Sequence, residues 1–267
     1  MKAICLHSKE EIEKFLRRNT FLHLYSIGDL DDFFWPYTTW YAFKGHHGDQ
    51  DKQKITQLVL LYTGAPLPIL LGFAEESTDT MYELLKAIIH LLPKRFYALL
   101  SGGVATVFAD AYHIQSHGIH DKMALLNTAC LESIDTSNAV PLSVSDLPEL
   151  EALYRAGYPG NWFDPRILET GRYYGIRNST TLISAAGVHV YSPQYKVAVL
   201  GNVTTHPDFR GQRLGTAVSA KLCQELLRTV DHIGLNVKAS NASAISCYKR
   251  LGFERIATYE EYTFELR

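Results

Sequence analysis

Between an apolar, β-branched run and a long amphipathic one lies HPDFRGQRLGTA, His206 to Ala217, which gathers two arginines, two glycines and a proline. A strand that passes through a short loop into a helix presents unpaired backbone N–H groups at the helix's first turn, where the macrodipole also favours negative charge. Gly211 and Gly215 would let the backbone approach an anion closely, and Arg210 and Arg213 would add charge-assisted hydrogen bonds. The stretch contains neither GxxxxGK(S/T) nor GxGxxG, so it supports neither a P-loop nor a dinucleotide fold. Glycines and arginines also begin ordinary surface helices, and on the loop alone that reading stands beside the phosphate cradle. Downstream, NASAISCYKRLGF sets Asn241 ahead of a helix on which Tyr248 lies three residues after Ile245 and four after Ala244, hence on the inward face. Among 16 tyrosines, one that fills core volume is the ordinary account.

The elements around these residues read as alternating short strands and helices. Upstream of the loop, strands are predicted over Tyr173–Arg177, Thr181–Tyr191 and Lys196–Thr205; after it, Leu214, Val218, Leu222, Leu226 and Val230 recur every four residues and predict a helix. A strand at HIGLNVKA, the helix carrying Tyr248 and a last strand at ERIATYEEYTFEL complete this half, and VPLSVSDLPELEALYRAGY opens it with a helix preceded by Ser145 and Asp146. In the first half, SKEEIEKFLRR has a Ser cap followed three residues later by Glu11 and apolar Ile12, Phe15 and Leu16 at helical spacing. An aromatic stretch, the polar loop KGHHGDQDKQK, strands at QLVLLY and LPILLGFA, the helix TMYELLKAIIHLL, the strand RFYALLSG, a helix after Gly103 and the strand KMALLN follow. The polar LESIDTSNA divides two units, residues 1–132 and 139–267. The predicted class is α/β, with a mixed sheet flanked by helices in the C-terminal half and a smaller α/β domain before it.

Composition narrows the partners. A chain of 267 residues that is 46% hydrophobic and 20% charged is ordinary for a soluble globular protein. Lys+Arg 26 against Asp+Glu 28 leaves a formal net charge of −2, which gives no global field to attract nucleic acid or an anionic membrane, so any anion site is local. The cysteines Cys5, Cys130, Cys223 and Cys247 are scattered without a CxxC pair, as reduced thiols in a cytoplasm would be. No signal core or spanning segment is evident, and a cytoplasmic protein is expected.

GNVTTHPDFRGQRLGTAVSAKL, followed by NASAISCYKRLGF, closely resembles the GNAT superfamily of acyl-coenzyme A-dependent N-acetyltransferases, over about Val140 to Arg267. The resemblance implies acetyl-CoA as cosubstrate, with its pyrophosphate on the backbone amides of Arg210, Gly211, Gln212, Arg213, Leu214, Gly215 and Thr216. Arg213 stands where the family's loop has its first motif glycine; if that position needs positive φ, the side chain costs about 1 kcal/mol. The resemblance further implies a bulged strand before the loop, splayed from the next one, on which Val203 and Thr205 pair with the pantetheine arm. A backbone N–H near Asn202 or Val203 would stabilise the tetrahedral oxyanion, against the alternative of a plain buried strand. Asn241 would contact the coenzyme and Tyr248 would protonate the departing thiolate. Direct transfer in a ternary complex to an amine acceptor, a small molecule or a peptide, is the expected route. A non-catalytic acyl-CoA-binding module is the rival.

An alkyl ammonium with a pKa near ~10 must lose a proton before it attacks a thioester. KVAVLG lacks the glutamate that many members of the resembling family place there, which leaves His189, His206 or a water chain. Cys247 could be imagined as an acyl carrier, but a buried helical cysteine is usually inert. His113, His117 and His120 have loose metal-like spacing without cysteine or carboxylate partners, and no metal is expected.

The first half echoes the element order of the second, which suggests a degenerate copy of the same fold. The loop after its PILLGFA is acidic, EESTD, and Glu75, Glu76 and Asp79 would repel a pyrophosphate, so one coenzyme per chain is expected. The first half would then shape the acceptor pocket or a surface for a second copy of the chain. Phe33, Phe34, Trp35, Tyr37, Trp40 and Tyr41 are candidates to line that pocket, with core packing as the alternative.

Overall fold

The computed structural model describes residues 2–45, 54–75, 77–161 and 163–267, so Glu76 and most of the polar loop after Gly45 lie outside the described residues. Two compact units are formed, Met1–Asp121 with Ala257–Arg267, and Lys122–Ile256. The polar stretch between residues 132 and 138 thus falls inside the second unit, and the chain's last residues return to the first.

The first unit runs β1 (Ile4–Leu6), α1 (Lys9–Leu16), α2 (Leu24–Gly28), β2 (Thr38–Gly45), β3 (Lys54–Tyr62), β4 (Ile69–Gly72), α3 (Thr78–Ile88), β5 (Arg95–Leu100) and β6 (Tyr112–Leu125), the last continuing into the second unit. Ser8 caps α1 by accepting from the Glu11 N–H at 3.2 Å, and Ile12, Phe15 and Leu16 are buried, as the spacing predicts. β1 to β4 pair antiparallel in sequence order; β4 and β5 pair parallel around the α3 crossover. The segment after Gly103 forms a short 3-10 turn, Val104–Phe108, rather than the predicted helix. Phe34, Trp40 and Tyr41 are buried in this unit, so three of the six aromatics raised for a pocket serve its core.

The second unit runs β7 (Ala139–Pro141), α4 (Leu147–Gly157), β8 (Tyr174–Asn178), β9 (Thr181–Ser192), β10 (Val197–Thr205), α5 (Leu214–Leu226), β11 (His232–Lys238), α6 (Ala242–Arg250) and the start of β12 (Phe253–Leu266), which passes into the first unit at Ala257. β7 to β10 pair antiparallel in order, and β10 and β11 pair parallel around α5. The pairing pattern of the first unit therefore recurs, strand for strand. In the first unit β5 is bordered by β12, through Glu260↔Leu100 to Glu265↔Arg95, so the chain's final strand completes the earlier repeat.

Two neighbouring residues at the end of β10 face opposite ways and fix the layers. A Cβ on Gly157, at the end of α4, would meet Thr204 Oγ1 at 2.8 Å, whereas a Cβ on Gly215, at the start of α5, would meet Thr205 Oγ1 at 3.4 Å. One helix thus covers each face of the sheet. This explains why β9 is buried continuously from Leu182 to Val188 instead of alternating. α5 buries Val218, Leu222 and Leu226 on the predicted stripe and ends there, with Val230 buried in the turn beyond it. The capping box ahead of α4 is formed by Ser143 and Asp146, two residues earlier than the Ser145 start the sequence suggests.

Candidate active site

The parallel ladder between β10 and β11 covers Val197↔His232 to Leu200↔Leu235 and stops, while β10 continues to Thr205. Against β9, the next step on β10 is irregular: from Gly201 to Thr204 it advances three residues while β9 advances two, Gly187 to Ala185. Asn202 lies in this bulge at φ 55°, and Asn is among the residues that best tolerate the left-handed region. The ladder with β11 thus ends just before the bulge, at Leu200↔Leu235, although β10 runs on to Thr205 and β11 to Lys238.

A buried polar network holds the bulge. The Tyr154 hydroxyl, from α4, donates to the Asn202 carbonyl at 3.1 Å; the Asn202 amide donates to the Tyr173 hydroxyl at 3.0 Å; and that hydroxyl donates to the Val188 carbonyl at 3.3 Å. Burial pushes both phenols above the ordinary tyrosine range, so they remain neutral donors. Tyr173 reaches this position only because β9 carries Gly187, where a Cβ would fall 2.1 Å from its ring. Gly187→Ala is expected to destabilise the protein by about 3 kcal/mol, the cost of forcing a packed ring aside, as read by thermal or denaturant unfolding. A loss below about 0.5 kcal/mol would show that the ring yields freely.

β10 leads through a 3-10 turn, Pro207–Phe209, into the loop before α5. His206 caps that turn by accepting from the Asp208 N–H at 3.4 Å, and its ring lies edge-on to Phe209. Gly211 has φ 80° with open space around its missing Cβ. Arg213 has φ 61° and ψ 14°, so the position does take the left-handed conformation, at a strain cost of about 1 kcal/mol for a residue with a side chain. Its conformation starts α5 without any side-chain cap, and the helix has no acidic residue in its first turn. The N–H groups of Leu214, Gly215 and Thr216 belong to that uncapped turn. Arg210 binds backbone instead of standing clear: its guanidinium donates to the Thr205 carbonyl at 3.2 Å and the Gly157 carbonyl at 2.8 Å, clamping the loop to β10 and α4. Gln212 is exposed and Val203 half-buried.

On α6, Asn241 caps its own helix by accepting from the Ala244 N–H at 3.1 Å. Tyr248 is 8% exposed, packs edge-on against Phe253 at 5.9 Å, and is pushed up by burial, with neighbouring Cys247, Tyr158 and Cys223 adding to the shift. Cys247 lies 3.3 Å from Thr216 Oγ1, tying α6 to α5, and burial raises its thiol as well. In the first unit His117 meets Thr263 Oγ1 at 2.8 Å and His120 meets Glu261 at 3.3 Å. The residues sequence reasoning missed are Tyr154 and Tyr173, whose one available signal was the strand glycine at 187.

The second unit, a mixed sheet in which a bulged strand leads into an uncapped helix, has the fold of the GNAT superfamily. Residues 140–253 match the family model described as Acetyltransferase (GNAT) family. The [Ribosomal protein bS18]-alanine N-acetyltransferase of Escherichia coli is 41% identical over 66 residues, 24% of this chain and 45% of that enzyme. The chain spans less than half the length of the first curated relatives it matches. Among solved structures, a Drosophila protein has a TM-score of 0.68 at 16% identity, covering 98% of each chain. A tandem GNAT protein from the clavulanic acid biosynthesis pathway has 0.53 at 15%, also covering 98% of each.

Proposed function

We propose that this chain is an acyl-CoA-dependent N-acyltransferase that moves an acetyl group from acetyl-CoA to an amine, a small molecule or a peptide, by direct attack in a ternary complex. The observation that carries the reading is the join between the β10–β11 ladder that ends at Leu200↔Leu235 and the uncapped first turn of α5. The first offers unpaired strand edges to an extended amide-bearing arm, and the second offers backbone N–H groups and a positive dipole end to a pyrophosphate. The Asn202–Val203 bulge lies where an amide N–H would meet the thioester oxygen, and Tyr248 supplies the proton for the leaving thiolate. The bS18-alanine enzyme among the relatives supports keeping a peptide's terminal amine in the acceptor class. The four cysteines are free thiols, which supports a reducing, cytoplasmic setting. Among the described residues no helix is long and apolar enough to cross a membrane.

Purified protein is expected to release free thiol from acetyl-CoA when offered a panel of amines. Binding of acetyl-CoA without thiol release from any of them would favour the non-catalytic module.

The first unit contrasts at each corresponding point. Its parallel pair stays closed beyond the ladder, because the Ser101 N–H donates to the Gly72 carbonyl at 3.0 Å and the Ala74 N–H to Ser101 Oγ at 2.9 Å. Its helix α3 is capped by Ser77, which accepts from the Asp79 N–H at 3.1 Å, and carries Asp79 in the first turn. Glu75 pairs with His23 at 3.2 Å. Calorimetric titration is therefore expected to give one coenzyme per chain. Two equivalent sites would overturn this account of the first unit.

A further inference from the structure

We propose that Tyr154 and Tyr173 are positioning residues of the transfer: they fix the Asn202–Val203 peptide so that the Val203 N–H meets the thioester oxygen. This rests on the acyltransfer reading above. Among the described residues, four non-glycine positions have positive φ. Ser179 and Lys196 lie in turns between strands and Arg213 precedes α5, whereas Asn202 lies inside a strand. No reversal of the chain asks for that conformation at Asn202, and such an outlier persists only where its surroundings over-determine it. Two buried phenols do so here.

The two phenols hold different ends of the residue. Tyr154 donates to the Asn202 carbonyl at 3.1 Å, so that carbonyl is turned toward α4. Tyr173 accepts from the Asn202 side-chain amide at 3.0 Å and is anchored on β9 by donating to the Val188 carbonyl at 3.3 Å. Neither Asn202 nor Val203 is matched in the β9 register, and the β11 ladder has ended at Leu200, so strand pairing does not itself dictate how this peptide is turned. In a trans peptide the carbonyl and the next N–H point opposite ways. With its carbonyl on Tyr154, the peptide therefore directs the Val203 N–H away from α4. The face opposite α4 is covered by α5, and α6, which carries Tyr248, is tied to α5 through Cys247 and Thr216 at 3.3 Å. One hydrogen bond thus turns the N–H to the side that holds the proton donor for sulfur.

The phenols are held in turn. Phe163, in the loop after α4, packs against Tyr154 at 5.0 Å and Tyr173 at 5.9 Å between ring centroids. Burial keeps both hydroxyls protonated through the neutral range, so their bonds do not come and go with pH. A donor preorganised in this dry setting needs no rearrangement when charge develops on the oxygen. In the first unit the corresponding strand, β4, pairs with β3 and β5 in unbroken register and carries no such bulge.

The ammonium first loses one proton to solvent. As the amine nitrogen then bonds to the carbonyl carbon, the C=O π pair moves onto oxygen, and the Val203 N–H at ~2.7–3.1 Å stabilises that charge. The pair returns as the C–S bond breaks with its electrons leaving on sulfur. The thiolate takes the Tyr248 proton, and the remaining surplus N–H proton restores that hydroxyl through solvent. The products are an amide, a free thiol and one proton.

The test compares wild type with Tyr154→Phe, which keeps the ring and removes the donor. An oxyanion donor removed outright costs about 10²–10³ in kcat; one left in the chain but released should cost roughly 10–10²-fold. Acetyl-CoA affinity, acceptor KM and the pH limbs should stay unchanged, because the N–H acts in the transition state and neither phenol titrates in the working range. The readout specific to positioning is the infrared carbonyl stretch of a bound ketone analogue of acetyl-CoA in which a methylene replaces the thioester sulfur. In wild type that band should fall below its value for the free analogue, and in Tyr154→Phe it should return toward it, whereas a packing defect would lower stability and leave the band in place. Should Tyr154→Phe not fold, Tyr173→Phe, which releases the Asn202 amide instead, is held to the same criteria. A wild-type band that does not fall, a band unmoved in the folded variant, or a variant kcat within about threefold of wild type would each overturn the positioning role and leave the acyltransfer reading standing. No thiol release by wild type with any amine would overturn that reading and this assignment with it.

Discussion

Gly215→Glu is expected to weaken acetyl-CoA binding by more than about 10²-fold while leaving the protein at least as stable as the wild type. A Cβ at Gly215 meets only Thr205 Oγ1, at 3.4 Å, which is ordinary contact, so the backbone need not move. Position 215 lies in the first turn of α5, where a carboxylate is favoured by the dipole by roughly 0.3–1 kcal/mol and where exchanging glycine for glutamate gains roughly another 0.5 kcal/mol of helix propensity. Both effects favour the fold. The same carboxylate, about 4 Å from a bound phosphate charge, costs roughly 4 kcal/mol at a near-surface effective dielectric, and every ~1.4 kcal/mol is tenfold in affinity. The opposed signs make the result diagnostic: a raised or unchanged melting temperature with binding lost to calorimetry. Wild-type affinity in the folded variant would remove the α5 terminus from the site.

How much of this could be read from the sequence depends on whether a feature is written in local pattern or in register. The helix α5 and its loop were legible because apolar residues every four positions and a glycine-rich approach are local signals, and the inward face of Tyr248 followed from helical spacing alone. The two irregularities of the β9–β10 ladder, where β10 steps from Val199 to Leu200 against Val190 to Val188 and again at Asn202, were not. Each is a mismatch in how far two strands advance, a property of the pair that neither strand carries in its own residues. Only indirect marks exist: Asn202 is of a type that accepts positive φ, and Gly187 and Gly201, each in an otherwise apolar strand, mark places where a ring lies on the backbone. The role of Arg210 was hidden for a related reason. A loop arginine beside glycines suggests an anion ligand, but its hydrogen bonds go to carbonyls of Thr205 and Gly157, the latter distant in sequence. The return of Ala257–Arg267 to the first unit was likewise invisible, because a strand's pattern shows that it pairs and not with which neighbour.

Tyr248→Phe is expected to lower kcat by roughly 10²-fold with acetyl-CoA affinity nearly unchanged, because the hydroxyl acts as the C–S bond breaks and contributes little to the bound ground state. The surroundings suit a donor: the ring is held against Phe253, and burial raises the phenol above the ordinary tyrosine value, so the proton stays in place throughout the neutral and mildly basic range. The sign matters for the pH profile. Because the shift is upward, deprotonation of Tyr248 falls outside the working range, and removing the hydroxyl should lower the whole profile without erasing a basic limb. A tyrosine that merely fills volume would instead leave turnover intact and change stability by about 1 kcal/mol through one hydrogen bond. A second measurement separates the two. An acyl donor built on an acidic aromatic thiol departs as the thiolate without needing a proton, so the variant's defect should largely vanish with it, whereas a packing defect would persist with either donor. Turnover within about threefold of wild type on acetyl-CoA, with chemistry rate-limiting, would return Tyr248 to the core and leave the thiolate to be protonated by solvent.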